Sequence, residues 1–104
     1  MNRREVRKVF VLTTLKCAKD RLTALDLANH AGIPESADSC PNTREIIRDL
    51  IDDGYPIGSN ARGYKLLTNG KDVQVYLNNL LQRQMAISRR IQAVYDGAKL
   101  DGLL

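Results

Sequence analysis

The side chains of this chain that could do chemistry are mainly cations and amides. Its 104 residues include 16 Lys and Arg, 12 Asp and Glu, one His and two Cys. His30 has no nucleophile or carboxylate at a spacing that would make it a catalytic base. Cys17 and Cys40 lack the paired spacing and neighbouring His of a zinc site. Asp52 and Asp53 are adjacent, so their carboxylates point in different directions on a helix. We therefore expect neither an enzyme nor a bound metal or other cofactor.

Arg44 and Arg48 form the most specific cationic pattern. They lie one turn apart on a predicted helix, so both point to one side of it. A guanidinium can bind guanine through two hydrogen bonds, which gives one interpretation of the pair. The other interpretation is pairing with Glu45, Asp49 or Asp52 of the same helix on a solvated face. The spacing alone leaves both interpretations open.

Charge is distributed unevenly along the chain. Residues 1–21 carry a net charge of +5, residues 22–70 one of −3 and residues 71–104 one of +2. A positive N-terminal region and a pI near 9.3 suit a polyanionic partner. No run approaches the ~20 apolar residues of a membrane helix, and no signal-peptide pattern follows the basic start. We expect a cytoplasmic protein with no membrane partner.

The spacing of apolar residues predicts a first helix over residues 3–19. The β-branched run within it would also suit a strand, but the basic residues of the opening turns favour a helix. Leu12 and Leu15 are expected on the flank of its buried face. That face is predicted to consist of residues three and four apart, namely Val6, Val9, Phe10, Thr13 and Cys17.

Two further helices are predicted on either side of a polar loop over residues 33–41. The second helix begins at Thr23, where Asp26 completes a capping box, and it ends at Gly32. The third helix follows the loop and carries the two arginines. Its buried face is predicted to be formed by Ile46, Ile47, Leu50 and Ile51.

The third helix has recognisable signals at both ends. Asn42 is a good N-cap, and Glu45 three residues later gives a capping-box pattern. The first backbone N–H groups of the helix are then expected to point outward together with Arg44. Gly54 is suited to a left-handed stop. The following residues 54–67 contain two extended segments and a turn, which predicts a small β-hairpin packed on the helices.

Residues 71–96 predict one long helix with a heptad seam. The seam contains one polar member and follows the series Val73, Leu77, Leu80, Gln84, Ile87, Ile91 and Val94. It either packs on the first helix within one chain or pairs with its copy in a second subunit. At ~1.5 Å per residue such a helix extends about 39 Å, longer than the small domain it would cover. We therefore favour a homodimer, in which Gln84 helps to set the register.

The order of three helices, a hairpin and a long helix resembles a winged helix-turn-helix domain followed by a C-terminal helix. The likeness covers residues 22–67, in which Leu27-Ala28-Asn29-His30-Ala31-Gly32-Ile33 looks like the family's second helix and turn. One departure is the loop of about nine residues after Gly32, where the family has a short turn. The stretch from Arg44 through Tyr64 also resembles small winged-helix proteins encoded by bacteriophages.

This resemblance implies a mainly α fold with a small β-hairpin. Residues 1–69 would form the winged helix-turn-helix domain, and residues 70–104 would form a dimerisation helix. In this family the third helix enters the major groove of DNA and the wing lies near the backbone. The residues implied to contact bases or adjoining phosphates are Asn42, Thr43, Arg44 and Arg48. The residues implied to contact phosphate from the wing or the N-terminal arm are Ser59, Asn60, Arg62, Lys65, Arg3, Arg4, Arg7 and Lys8.

The sequence therefore favours a non-enzymatic protein that binds specific double-stranded DNA as a homodimer and has no small-molecule substrate. The bacteriophage likeness implies action in a bacterial host cell, as a transcriptional regulator or as a replication or recombination accessory. The alternative is a winged-helix adaptor that binds another protein and not DNA. A fold alone does not fix a function, so the same architecture can serve either activity. The acidic balance of residues 22–70 supports the adaptor.

Overall fold

Helices account for most of the computed structural model, which describes residues 1–104. The helices are α1 (Arg3–Cys17), α2 (Ala24–Ala31), α3 (Pro41–Asp52) and α4 (Gly70–Leu100), and the strands are β1 (Ile57–Asn60) and β2 (Gly63–Leu66). The prediction of a mainly α fold with a small β-hairpin and a long last helix is confirmed. The chain divides into two compact units, Met1–Thr68 and Asn69–Leu104, next to the predicted boundary.

α1 buries a different face from the predicted one. Its buried side chains are Val11 and Leu15, with Leu12 packed against the same core. The residues predicted to be buried are exposed instead: Val6, Val9, Phe10, Thr13 and Cys17. The same face of α1 continues toward the N-terminus as the exposed Arg4 and the half-buried Lys8, which pair with acidic residues of α3 and its C-cap. A search for apolar periodicity cannot find a stripe whose first two members are charged.

The core of the first unit lies between α1, α2, α3 and β1. Its buried members are Val11, Leu15, Leu27, Ala28, Ile33, Ile46, Ile47, Leu50 and Ile57. The apolar face predicted for α3 is buried except at Ile51. Ile33 enters the core because Gly32, in the left-handed conformation at φ 64°, reverses the chain. The Ile33 N–H then donates to the Ala28 carbonyl at 2.9 Å, which closes α2.

The predicted capping box begins α2. The N–H of Asp26 donates to the Thr23 hydroxyl at 3.1 Å, and the N–H of Thr23 donates to the Asp26 carboxylate at 3.0 Å. The bond from the Thr23 backbone lowers the pKa of Asp26 most, because it stabilises the ionised carboxylate. The start of α2 is therefore fixed by local sequence alone.

The hairpin is joined to the helices through the link between α1 and α2. β1 and β2 pair antiparallel, with Asn60 opposite Gly63 across the turn. Leu22 pairs with Tyr64 through two backbone hydrogen bonds of 2.9 and 2.7 Å. Gly63 permits this approach, because its φ is 125° and a Cβ there would lie 2.4 Å from the Leu22 carbonyl oxygen. The hairpin is therefore joined to the link between α1 and α2 by an isolated β-bridge at Leu22.

α4 is longer than predicted. It contains 31 residues and continues past Asp96, the predicted end, to Leu100. Gly102, at φ 73°, closes it. The Leu103 N–H donates to the Ala98 carbonyl at 2.9 Å and the Gly102 N–H donates to the Lys99 carbonyl at 3.2 Å. The predicted end at Asp96 is therefore wrong, and this glycine-containing motif satisfies the last carbonyl groups of the longer helix.

The heptad seam of α4 is accessible along its length. No residue of α4 is buried, and the exposed members of the seam range from 40% at Leu80 to 65% at Ile91 and Val94. None of the four helices combines the length and apolar character that a membrane span requires. The seam is the regular apolar series of a helix that also exposes single apolar residues elsewhere.

Candidate nucleic-acid interface

Arg44 lies in the first turns of α3 and is held by two neutral groups. Its Nε donates to the Ser39 carbonyl oxygen, and its Nη1 donates to the Tyr64 hydroxyl at 2.7 Å. The guanidinium carbon also lies 6.0 Å from the centroid of the Tyr64 ring. A guanidinium has five N–H donors, so most of them remain free. Arg44 is therefore a positioned and exposed cation that keeps donors for a ligand.

Tyr64 connects Arg44 to the hairpin. Its backbone pairs with Leu22 and its side chain packs against the core. A cleft of about 240 Å³ lies beside it, lined by Thr23, Ala24, Arg44, Ser59, Asn60, Ala61, Gly63 and Tyr64. Residues predicted for base contact and residues predicted for the wing therefore share one surface.

A second cleft, of about 390 Å³, lies beside the hairpin turn. We call it the wing cleft, and its lining residues are Lys19, Asp20, Arg21, Asn60, Arg62 and Lys65. Asn60 also lines the first cleft, so the two adjoin. Four cations and one carboxylate make the wing cleft electropositive, which favours an anionic ligand.

Lys19 and Arg21 belong to this surface although no pattern in the sequence selects them. They precede Leu22, and its pairing with Tyr64 brings the link between α1 and α2 to the wing. The Nη1 of Arg21 donates to the Gly63 carbonyl at 3.4 Å. Sequence reasoning missed both residues, because local sequence does not reveal that Leu22 pairs with Tyr64.

The predicted wing residues lie around the two clefts. The Asn60 side-chain oxygen accepts the Arg62 N–H at 2.8 Å, which closes the turn between the strands. The Arg62 side chain is exposed and forms no hydrogen bond or ion pair. Lys65 is half-buried in the wing cleft and Ser59 is half-buried in the first cleft. All four predicted wing residues therefore adjoin one electropositive surface.

Glu45 and Asp49 of α3, together with its C-cap Asp53, are directed toward α1. The Nη2 of Arg4 lies 3.1 Å from Glu45 Oε1, and the Nε of Arg4 donates to Asp49 Oδ2 at 2.7 Å. Lys8 pairs with Asp53. The hydrogen bond to Asp53 raises the pKa of Lys8, because it stabilises the charged amine. These ion pairs neutralise much of the acidic charge of α3 on the side facing α1.

Arg48 is exposed and forms no hydrogen bond or ion pair. Arg44 is bound to a carbonyl and a hydroxyl. The alternative in which these arginines pair with acids of their own helix is therefore not observed. Both side chains remain accessible to an external anion.

The four predicted N-terminal contacts do not act as one group. Arg4 and Lys8 link α1 to α3, a structural role that differs from the predicted grip on phosphate. Arg7 is half-buried, and its charge helps to keep Glu35 ionised. Arg3 is exposed and unpaired. Arg3 is thus the one member of the group that is wholly free for a ligand.

The start of α3 differs from the prediction. Cys40, in the left-handed conformation at φ 53°, is the N-cap and makes no side-chain cap bond. The two carboxylate oxygens of Glu35 instead accept the N–H groups of Asn42 and Thr43, each at 2.9 Å. The predicted capping box at Asn42 is wrong because a carboxylate from the preceding loop reaches both free N–H groups.

The Glu35 cap also changes the electrostatics of this helix end. Partial burial raises the pKa of Glu35, but the hydrogen bonds from Thr43 and Asn42 and the charge of Arg7 outweigh it, so the pKa lies below its ordinary value. The prediction that the first N–H groups of α3 point outward is therefore wrong. They are occupied by this carboxylate and are not free to bind phosphate.

Thr43 and Asn42 also differ from their predicted roles. Thr43 is 0% exposed, so the predicted DNA contact is wrong. Position 43 falls on the same helical stripe as Ile46 and Leu50, which turns it into the core. Its hydroxyl has no hydrogen-bond partner. Asn42 is exposed, but its Nδ2 donates to the Pro34 carbonyl at 2.9 Å and so holds the loop.

The groups with metal-binding or nucleophilic chemistry are dispersed. No group of three or more His, Cys, Asp and Glu is placed to hold a metal ion. Cys17 is exposed, Cys40 is buried, and His30 is exposed at the end of α2. The concentrated chemistry of the first unit is therefore the cationic surface of Arg44 and the wing cleft.

Comparison with known proteins found no match to a protein-family model, to a curated protein or to a solved structure. The functional assignment therefore depends on the residues and geometry described above.

Proposed function

We propose that this protein binds specific double-stranded DNA as a homodimer, without catalysis. In the winged-helix interpretation, α3 reads the major groove and the hairpin contacts the backbone. The bacteriophage resemblance suggests a transcriptional regulator or a replication or recombination accessory, acting in a bacterial host cell. The observation that carries the proposal is the fixed guanidinium of Arg44 beside an electropositive wing cleft.

Arg44 and Arg48 are the base-reading residues in this proposal. The Arg44 side chain needs little further ordering to present its free N–H groups, so less conformational entropy is lost on binding. Arg48 lies one turn further along α3, exposed and unpaired. Two arginines at this spacing suit the N7 and O6 acceptors of guanine in the major groove.

The wing cleft is the phosphate-binding part of the proposed interface. Its cations come from two segments, the hairpin and the link before Leu22. Such contacts hold a protein in register on the duplex without reading sequence. Lys19 and Arg21 therefore join Arg62 and Lys65 as proposed phosphate contacts.

α4 is the proposed dimerisation element. Its seam of apolar residues is exposed in the single chain and is regular in three- and four-residue steps. A two-fold pair of domains would read a two-fold DNA site, which increases both affinity and specificity. Gln84 is the one polar member of the seam.

The competing proposal is an adaptor that binds another protein. The exposed residues Val6, Val9 and Phe10 of α1 favour it, because apolar side chains at helical spacing can form a docking stripe. This activity would not require the wing cleft.

Fluorescence anisotropy with a random-sequence duplex separates the two proposals. Full-length protein should bind the duplex at low salt, and the logarithm of its affinity should fall linearly with the logarithm of salt concentration. Absence of salt-dependent binding at ~50 mM salt would reject the DNA proposal and favour the adaptor.

A further inference from the structure

The seam of α4 has an uneven set of neighbours. In heptad letters, its a positions are Leu77, Gln84 and Ile91, and its d positions are Val73, Leu80, Ile87 and Val94. The flanking e positions are Gln74, Leu81, Ser88 and Tyr95, and the flanking g positions are Tyr76, Arg83, Arg90 and Gly97. The charged residues beside the seam are therefore Arg83 and Arg90 alone, and both lie on the same side.

We propose that two copies of the chain pair through α4 as a parallel, in-register coiled coil. This inference rests on the proposed homodimer and adds its orientation and register. The flanking charges and the polar member of the seam support it independently.

The flanking charges favour a parallel pair. In a parallel coiled coil, each g residue faces an e residue of the other helix. Arg83 then faces Ser88 of the second copy, and Arg90 faces its Tyr95, whose ring can attract a guanidinium. In an antiparallel pair, g residues face g residues, so every alignment that overlaps most of the seam brings two arginines together. Facing like charges destabilise such a pair.

Gln84 favours the same arrangement. It is the central member of the seven-residue seam. In a parallel, in-register pair it meets Gln84 of the second copy, and the two amides can form hydrogen bonds. In an antiparallel pair, a residues oppose d residues, so Gln84 meets Leu80 or Ile87. Its amide would then be desolvated without a partner, which is unfavourable.

The conformation of α4 provides a continuous surface for this pairing. The helix passes through Gly97 without a break, so the seam keeps its spacing to its last member. The opposite face is polar, and there the Gln92 side chain donates to Asp96 at 2.9 Å. The regular apolar series thus lies on one side of the helix, as a two-helix contact requires, and exposed apolar residues on the other faces, such as Val75 and Met85, are isolated.

Disulfide trapping in the full-length chain tests the orientation. A Cys17→Ser background removes the exposed thiol, and Cys40 remains buried. Tagged Leu77→Cys protein is mixed with untagged Val94→Cys protein and oxidised under mild conditions. In the antiparallel alignment that places Gln84 against Ile87 these two positions meet, whereas two copies of position 94 lie about 26 Å apart at ~1.5 Å per residue. Disulfides bridge Cα atoms up to about 7 Å apart.

The proposal expects homodimeric disulfides of each variant, at least about tenfold more than from Val75→Cys on the outer face, and no mixed species. Val75 is the matched control because it is exposed on the same helix outside the seam. A mixed tagged–untagged disulfide as the main product would overturn the parallel orientation.

Light scattering on the same samples gives the number of chains. Three of the d positions are β-branched, namely Val73, Ile87 and Val94. Such residues at d do not favour two-stranded coiled coils, so the measured mass decides between a dimer and a larger assembly. A mass of one, three or four chains would overturn the pair. Salt-dependent DNA binding, measured separately by anisotropy, could persist in each case, so failure of the pairing is distinguishable from failure of DNA binding.

Discussion

Arg44 is fixed in position without being neutralised. The groups that hold it are the Ser39 carbonyl and the Tyr64 hydroxyl, and neither carries a negative charge. A carboxylate in their place would have offset the charge that the proposed DNA ligand would meet. An unrestrained arginine loses side-chain entropy on binding, up to about 2 kcal/mol. The hydrogen bonds of Arg44 remove part of that cost before a ligand binds.

Replacing Arg44 or Arg48 by Ala should reduce sequence discrimination. On a selected DNA site we expect each variant to lose about 1–3 kcal/mol of binding free energy, and clearly less on random DNA, because a base contact contributes only on the correct sequence. Arg89→Ala, on the outer face of α4, is the control and should bind normally. Competition anisotropy measures both affinities. Equal losses on selected and random DNA would contradict base reading.

Lys19→Ala and Arg21→Ala should weaken binding to all DNA sequences alike. Each substitution removes one proposed phosphate-binding cation of the wing cleft. The slope of log affinity against log salt should become shallower by about 0.9 for each cation removed. Lys16→Ala is the matched control, since Lys16 is exposed on α1 and does not line the cleft. An unchanged slope in both cleft variants would show that the cleft does not bind phosphate.

Glu35→Gln should destabilise the first unit in a pH-dependent way. Gln can accept one of the two N–H bonds and carries no charge. We therefore expect the free energy of unfolding to fall by about 1 kcal/mol at neutral pH. The pKa of Glu35 is lowered in the folded state, so its stabilisation is complete above its ordinary value of 4.5 and is lost as pH falls through the lowered value. The difference in the free energy of unfolding between variant and wild type, measured by urea unfolding, should therefore shrink below about pH 4.5. A difference independent of pH would contradict the cap.

The residue types of the interface can be predicted from the sequence, but their long-range partners cannot. Type and spacing indicate Arg44 and Arg48, the family resemblance implies Arg62, and all three are exposed. The outward placement of Thr43 is implied by the family resemblance, whereas its spacing from Ile46 and Leu50 puts it on the buried stripe of α3. The role of Glu35 has no signal in the sequence, because a cap from seven residues upstream has no local pattern.

At the scale of elements, two helices show the limits of apolar periodicity. In α4 the apolar series is uninterrupted, so it predicts the helix correctly. Only the C-terminal end is misplaced, at Asp96 and not at Leu100. In α1, cations and apolar residues share the face that contacts the rest of the first unit, and the most regular apolar series is exposed. The correct face depends on the carboxylates of α3, which local sequence does not reveal.

Gly63→Ala should destabilise the first unit and detach the wing from the link at Leu22. The new Cβ would lie 2.4 Å from the Leu22 carbonyl oxygen at a φ of 125°. Strain of this kind costs on the order of 2 kcal/mol. Gly97→Ala is the control, since its Cβ would meet nothing within 4 Å, and a helix should tolerate it or gain stability. Urea unfolding measures both, and equal stability of the two variants would contradict the proposed pairing strain.

At the scale of the whole molecule, the two units have separate proposed tasks. The first unit, Met1–Thr68, contains the cationic surface. The second, Asn69–Leu104, contains the exposed seam. The net charge of the chain is +4. The cationic surface is locally more positive than this value suggests, because acids of α3 and its C-cap are paired with cations of α1 and lie away from that surface. Separate tasks predict that a seam substitution lowers affinity for a two-fold site while each domain still binds duplex weakly.

Selection from a random duplex library with the full-length protein tests specific DNA binding most directly. Bound duplexes would be recovered and sequenced over several rounds, with Arg44→Ala protein as the parallel sample. We expect the wild-type protein to enrich a two-fold symmetric motif containing G·C pairs at fixed positions, and the Arg44→Ala protein to lose preference at those pairs. Recovery of the starting sequence distribution by the wild-type protein would contradict sequence-specific DNA binding.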